Sequence, residues 1–108
     1  MTYDVFSHEM HAGMDKMMRD MHAIGHSGNP DIDFLAMMIP HHEGAVDMAR
    51  LLLIHGRDPL VRQLAEEIIA GQTTEIAAMR ARLVRLRAGH DAEPDGFPAL
   101  GATRGDAP

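Results

Sequence analysis

The chain has 108 residues, a formal net charge of -6 at pH 7, no cysteine, ten methionines and eight histidines. This length accommodates one domain with one core, and the negative charge argues against binding to a nucleic-acid backbone. The absence of cysteine excludes disulfides and thiolate metal sites, so any soft-metal chemistry has to use methionine sulfur and imidazole.

No membrane span or export signal is expected in this sequence. No apolar run approaches the roughly 20 residues that a membrane-spanning helix requires. The first residues have neither a basic flank nor an apolar stretch, which a signal peptide would show.

The first predicted helix runs from Asp4 to about Ile24. Its methionines recur with the alternating spacing of a helix-packing seam. The seam consists of Met10, Met14, Met17 and Met21. Met18 lies just beside this seam and His22 at its border. A methionine stripe is more often core than cofactor site, because methionine fills irregular space; both interpretations stay open at this point.

The second predicted helix begins after a turn rich in glycine. Asn29 is expected to cap it, and Pro30 to be its first residue. The helix continues to His55, and Gly56 is the expected cap residue at its C-terminal end.

The centre of the second helix, Met37 to Met48, has the densest group of soft side chains in the chain. At about 100° per residue, one stripe of this helix is expected to face the core. Its members are Phe34, Met38, His41, Ala45, Met48 and Leu52. His42 and Met37 lie at opposite flanks of this stripe. The charged residues on the far side are Glu43, Asp47 and Arg50.

The third predicted helix has Asp58 as its N-cap and Pro59 as its first residue, and it ends near Ala88. Its expected buried stripe consists of Val61, Leu64, Ala65, Ile68, Ile76, Met79, Leu83 and Leu86. Gln72 and Glu75 project into the same stripe, where a carboxylate needs a partner. An imidazole from another helix or a bound metal ion could be this partner. The alternative is that Glu75 lies at the solvent-exposed rim of the bundle, where it needs none.

The fold class is therefore predicted to be all-α, with three helices in up-down-up order. Residues 1–88 form the expected helical domain. Residues 89–108, rich in Gly, Pro and Asp, form an expected flexible tail. The second helix has a wider apolar arc than a monomer usually exposes, which predicts a homodimer.

Familiar enzyme motifs do not fit this sequence. A zinc-protease motif would place a second histidine four residues after His42, where Val46 stands. A di-iron bundle would need a histidine three residues after Glu75, where Ala78 stands. We expect no enzymatic activity; an oxidase or reductase is a weaker alternative.

Thioethers and imidazoles on three facing helices remain as candidate metal ligands. They are Met14, Met17, Met18, Met21, His22, Met37, Met38, His41, His42, Met48 and Met79. Thioether with imidazole, without thiolates or clustered carboxylates, favours Cu(I) and its neighbour Ag(I) over zinc or iron. No organic cofactor is expected.

Among these candidates, His41 is expected to matter most for binding. Gln72 and Glu75 are assigned to outer positions, where they would hydrogen-bond an imidazole of the His41–His42 pair and orient it. Glu75→Ala is then expected to weaken metal binding by about 10- to 100-fold.

Two sequence blocks resemble a known family. One runs from Met38 to Ala49 and contains Ile-Pro-His-His; the other places Gln72 three residues before Glu75-Ile76, with Met79 following. They resemble the CopM-like copper metallochaperone family, catalogued as domain of unknown function 305, over about residues 17–86.

The resemblance implies a ferritin-like helical bundle that binds copper or silver through methionine and histidine. It also implies that the protein is periplasmic or secreted and acts as a metal carrier or buffer in metal resistance. A carrier passes its metal to a delivery partner, and the sequence does not identify that partner. Many relatives carry two His-His units and this chain carries one, which predicts that a second subunit completes the bundle. The alternative is a structural dimerisation module with a methionine-rich core and no metal.

Overall fold

The computed structural model describes residues 2–89, which form three α-helices. Helix α1 spans Thr2–His22, α2 spans Pro30–His55 and α3 spans Pro59–Arg87. The all-α prediction is confirmed, with no strand among residues 2–89. α1 begins and ends two residues earlier than predicted. The predicted tail beyond Gly89 lies outside the described residues.

The N-terminal ends of α2 and α3 are set by the predicted caps. The Asn29 side chain accepts hydrogen bonds from the backbone N–H groups of Asp31 and Ile32, at 2.9 and 3.4 Å. The Asp58 side chain accepts one from the N–H of Val61 at 2.9 Å. Each cap satisfies a donor that would otherwise lack a partner, which is typically worth about 1 kcal/mol.

A carboxylate fastens the preceding loop to α2. Asp33 accepts a hydrogen bond from the backbone N–H of Ser27 at 2.9 Å. This bond favours the charged carboxylate and so holds the pKa of Asp33 below its ordinary value of 3.8.

α2 is the central helix of the structure. Both α1 and α3 pack against it, whereas α1 and α3 contact each other little. Met17 of α1 packs on Gly44 of α2, and His42 of α2 reaches Glu75 of α3. A second contact in each pair gives the direction: Glu9 of α1 lies against His55 of α2, and Ile39 of α2 packs with Leu83 of α3. Neighbouring helices are therefore antiparallel.

The three helices form a flat body with a thin core. The structure measures 54 × 30 × 16 Å with a radius of gyration of 16.9 Å, whereas a compact domain of this size has about 12 Å. The buried hydrophobic residues among residues 2–89 are Ala36, Ile39, Val46, Ala49, Ala65 and Leu83. α1 contributes no buried residue. A closed ferritin-like bundle stays a prediction.

The predicted core-facing stripe of α2 is wrong in its orientation. Phe34 and His41 are exposed, and the other four members are only half-buried. The buried residues of α2 are instead Ala36, Ile39, Pro40, Gly44, Val46 and Ala49. Small side chains allow neighbouring helices to approach closely, so α1 and α3 pack on two arcs of α2 that contain them. The larger side chains of the predicted stripe are left between these two contacts.

The predicted stripe of α3 is partly confirmed. Ala65 and Leu83 are buried, and Ile76, Met79 and Leu86 are half-buried. The residues nearer the start of the helix, Val61, Leu64 and Ile68, are exposed.

None of the helices in residues 2–89 has the length and apolar character needed to span a membrane.

Candidate functional site

A cavity of about 350 Å³ lies in the groove between α2 and α3. Its lining residues are Phe34, Leu35, Met38, His42, Glu75, Ala78 and Met79. The structure thus brings together three of the predicted ligands, Met38, His42 and Met79, with one residue predicted to orient them, Glu75.

Helix geometry explains why these four side chains meet. Met38 and His42 are four residues apart on α2, and Glu75 and Met79 are four residues apart on α3, so each pair shares one helix face. Because α2 and α3 are antiparallel and in contact, the two pairs line opposite walls of the same groove.

Both ring nitrogens of His42 have hydrogen-bond partners. Nε2 lies 2.7 Å from Oε1 of Glu75, and Nδ1 lies 3.0 Å from the backbone oxygen of Met38. A carbonyl and a carboxylate oxygen only accept, so the two bonds exist together when both ring nitrogens carry a proton. A metal ion needs a nitrogen lone pair, so it has to displace one of these partners.

The two partners of His42 differ in how easily they can leave. The Met38 oxygen belongs to the backbone of α2 and is fixed by the helix. The Glu75 side chain is 63% exposed, whereas the His42 side chain is 15% exposed. Glu75 can therefore turn into solvent without becoming a buried unpaired charge, which leaves Nε2 as the nitrogen that a ligand can reach.

The other candidates on α2 do not line this cavity. His41 is exposed, with its ring centroid 6.0 Å from that of His42, so the prediction that His41 faces the core is wrong. Met37 is also exposed, and Met48 is half-buried away from the cavity.

The candidates on α1 lie apart from the cavity, because α1 packs on a different side of α2. Met17 is packed on Gly44, and Met21 is half-buried. Met14, Met18 and His22 are exposed.

Gln72 is not in the predicted contact with an imidazole. Its Oε1 atom is buried and has no hydrogen-bond partner among residues 2–89.

Within the same residues, no group of three or more histidine, aspartate or glutamate side chains converges in a way that could hold a metal ion. The possible donors that line the cavity are two thioethers and one imidazole, with a single carboxylate beside them.

The structure contains a second histidine–carboxylate pair, which the sequence pattern does not predict. His55, near the end of α2, lies with Nε2 3.3 Å from Oε1 of Glu9 on α1. Its ring packs edge-on against Phe6, with centroids 5.7 Å apart. The signal lay in the antiparallel register of α1 and α2, which the methionine spacing alone does not reveal.

The opposite face of the molecule is charged. A groove there is lined by Lys16, Glu43, Asp47, Arg50, Thr73, Ile76 and Arg80. Arg80 forms an ion pair with Glu43. Lys16 donates a hydrogen bond to Asp20 at 2.7 Å, and this bond raises the pKa of Lys16. The predicted solvent side of α2 is confirmed for Asp47 and Arg50, which are exposed.

Comparison with known proteins identifies the family but no activity. The chain is 40% identical over 53 residues to "Uncharacterized protein L153" of Acanthamoeba polyphaga mimivirus; these residues are 49% of this chain and 35% of the viral protein. The match thus spans about a third of that relative's length. A family match covers residues 2–83, most of the chain, so the protein belongs to the family described as Domain of unknown function (DUF305).

Proposed function

We propose that this protein binds Cu(I) or Ag(I) through Met38, His42 and Met79, as a member of the CopM-like copper-binding group of its family. The observation that supports this is that thioethers from two helices and an imidazole share one predominantly apolar cavity. The role is that of a carrier or buffer in metal resistance rather than of an enzyme.

The donor types favour a soft monovalent ion. Methionine sulfur and neutral imidazole carry no charge, so a divalent ion would lose much of its hydration with little compensation. Zn(II) sites usually have four ligands of the Cys, His or carboxylate type. The cavity supplies only His42 and Glu75 from that set.

Binding requires one rearrangement of the existing hydrogen bonds. Nδ1 of His42 keeps its bond to the Met38 carbonyl, which fixes the tautomer with Nε2 free to ligate. Glu75 then leaves Nε2 for solvent. An ion held by Met38, His42 and Met79 would connect α2 to α3 in place of the His42–Glu75 hydrogen bond.

The proposed compartment is periplasmic or extracellular. A site built from thioether and imidazole does not depend on thiols, which oxidising compartments convert to disulfides. The cavity lies in an open groove rather than in a closed core, which suits an ion that is passed on to a delivery partner.

The alternative is a structural module that self-associates and binds no metal. The exposed apolar side chains of all three helices favour self-association, and this property is compatible with either function. Metal titration separates the two proposals.

The test is a competition titration with Cu(I), Ag(I) and Zn(II) under reducing conditions, with stoichiometry read by mass spectrometry of the intact protein. Met38→Leu/Met79→Leu is the variant and Met10→Leu/Met14→Leu is the matched control. Both remove two thioethers, and Met-to-Leu changes conserve volume. We expect the cavity variant to lose at least about 10-fold in Cu(I) affinity and the control to stay within about twofold.

A histidine pair of variants completes the experiment. His42→Ala is expected to weaken Cu(I) binding strongly, whereas His8→Ala, at an exposed position of α1, is expected to leave it unchanged. Preference for Zn(II) in the wild type, or equal Cu(I) affinity in the two double-leucine variants, would contradict the proposal. It would indicate that Met38 and Met79 only pack between the helices.

A further inference from the structure

One broad face of the molecule, opposite the charged groove, exposes large apolar side chains from all three helices. We name it the open face; its residues are Met14, Met18, Phe34, Met37, Leu64 and Ile68, which are between 40% and 61% exposed. Each of these residues can be compared with the residue of the charged groove on its own helix, which is Lys16 on α1, Glu43 on α2 and Arg80 on α3. At 100° per residue, the two positions are separated by about 120° or more around the helix axis. Exposed apolar side chains thus extend over all three helices on this side, which also has Glu75, whereas Ile54 and Val84 are exposed on the charged side.

A helical layer with one apolar side is incomplete as a domain. Stable domains bury apolar faces between two packed layers, and this structure has a thin core in which no described side chain is completely buried. The open face thus requires a second layer.

We propose that a second copy of this chain covers the open face, packed face to face across a two-fold axis. The six side chains expose roughly 100 Å² each, so a pair would bury about 1,200 Å², the lower end of the range for specific interfaces.

A second copy fits the open face better than other occupants. A two-fold interface brings the same surface of both copies together, so apolar residues meet apolar residues and the charged grooves stay outside. Residues 90–108 contain only two large apolar side chains, Phe97 and Leu100, which are too few to cover six that are spread over three helices. The net charge of -6 does not attract the chain to anionic membranes.

The interface also affects the proposed metal site. Met18, Met37 and His41 are exposed on the same side of the molecule, so pairing would place these further donors in the interface, beside the cavity that Phe34 lines. This consequence rests on the proposed metal-binding function, but the interface itself does not.

The test measures the mass of the full chain by sedimentation equilibrium in metal-free, chelator-treated buffer at tens of micromolar protein. Wild type is expected at twice its chain mass of 11.9 kDa. Phe34→Glu/Ile68→Glu is expected at 11.9 kDa, because four buried carboxylates would face each other across the interface. Both positions are exposed in the single chain, so helicity by circular dichroism should be unchanged.

Val84→Glu is the matched control. Val84 is also an exposed apolar residue of α3, but it lies about 40° around the helix from Arg80, on the charged side. This variant is expected to remain a dimer.

Two results would overturn the proposal: a wild type that is monomeric at all concentrations, and a double-glutamate variant that stays dimeric. If the wild type is monomeric, two further measurements identify the occupant of the open face. Dimerisation of a Phe97→Ser/Leu100→Ser variant would indicate the C-terminal segment, and sedimentation with phosphatidylcholine vesicles would indicate a lipid surface. Because no metal is present, a dimer that later fails to bind Cu(I) would refute the proposed function alone.

Discussion

The contact between α1 and α2 depends on the absence of a side chain at Gly44. A Cβ atom at this buried position would lie 2.5 Å from Sδ of Met17, 3.0 Å from its Cγ and 3.2 Å from its Cβ. The sulfur and Cγ can turn away when the side chain rotates, but Cβ cannot move without shifting the backbone of α1. Gly44→Ala therefore overpacks the helix contact.

The expected magnitude follows from two opposing effects. Replacing glycine by alanine within a helix stabilises by about 1 kcal/mol, whereas overpacking a close contact costs about 1–3 kcal/mol. We expect Gly44→Ala to lower the free energy of unfolding by about 1 kcal/mol net. Gly13→Ala on α1 is the control, because a Cβ atom at that position would have no heavy atom within 4 Å; it is expected to stabilise by about 1 kcal/mol.

The assay is urea unfolding followed by circular dichroism, at one fixed protein concentration so that association does not alter the comparison. Adding Met17→Ala removes the obstructing side chain, so Gly44→Ala is expected to become stabilising in that background. If Gly44→Ala stabilises the wild-type chain as much as Gly13→Ala does, Met17 is not packed on Gly44.

Three further predictions concern single side chains. Glu75→Ala is expected to raise Cu(I) affinity by about 2- to 10-fold, the value of one hydrogen bond no longer broken on binding; a 10- to 100-fold loss would instead indicate, as the sequence suggested, that Glu75 orients the ring from outside. His42→Ala is expected to lower Cu(I) affinity more than His41→Ala does, as measured by isothermal titration calorimetry. The reverse order would indicate that the metal site lies outside the cavity. Asp33 has a lowered pKa in the folded chain, so its contribution to stability is present above 3.8 and is lost as pH falls through the folded value. In thermal melts, Asp33→Asn should therefore destabilise the chain at neutral pH and show a smaller loss on acidification; an unchanged pH dependence would contradict this.

The helix ends could be predicted from the sequence because capping is local. Asn29 with Pro30, and Asp58 with Pro59, place an acceptor side chain directly before a residue that has no N–H to lose. The structure begins α2 and α3 at those prolines. No tertiary contact is needed for that inference, so it does not depend on how the helices pack.

The buried face of α2 could not be predicted from periodicity, because a central helix has two contacts rather than one. Gly44 is buried under Met17 of α1, and Ile39 packs with Leu83 of α3. The periodicity of apolar residues does not distinguish two separate contacts on one helix. It indicates instead the stripe that has the largest apolar side chains. In this protein that stripe lies between the contacts, which is why Phe34 and His41 are exposed.

The candidate site shows the same division between local and tertiary information. The spacing of Met38 with His42, and of Glu75 with Met79, could be read from the sequence, and so could an imidazole as one possible partner of Glu75. The expected burial of Glu75 is wrong, because its side chain is 63% exposed. The atom that Glu75 contacts could not, because it depends on the Met38 carbonyl already occupying Nδ1. In the proposed metal site that detail determines the chemistry: with Nδ1 bonded to the helix backbone, an ion would compete with Glu75 for Nε2. Exchange of the carboxylate for an ion bound to Met79 would keep α2 and α3 connected in both states, so metal could enter and leave without separating the two helices.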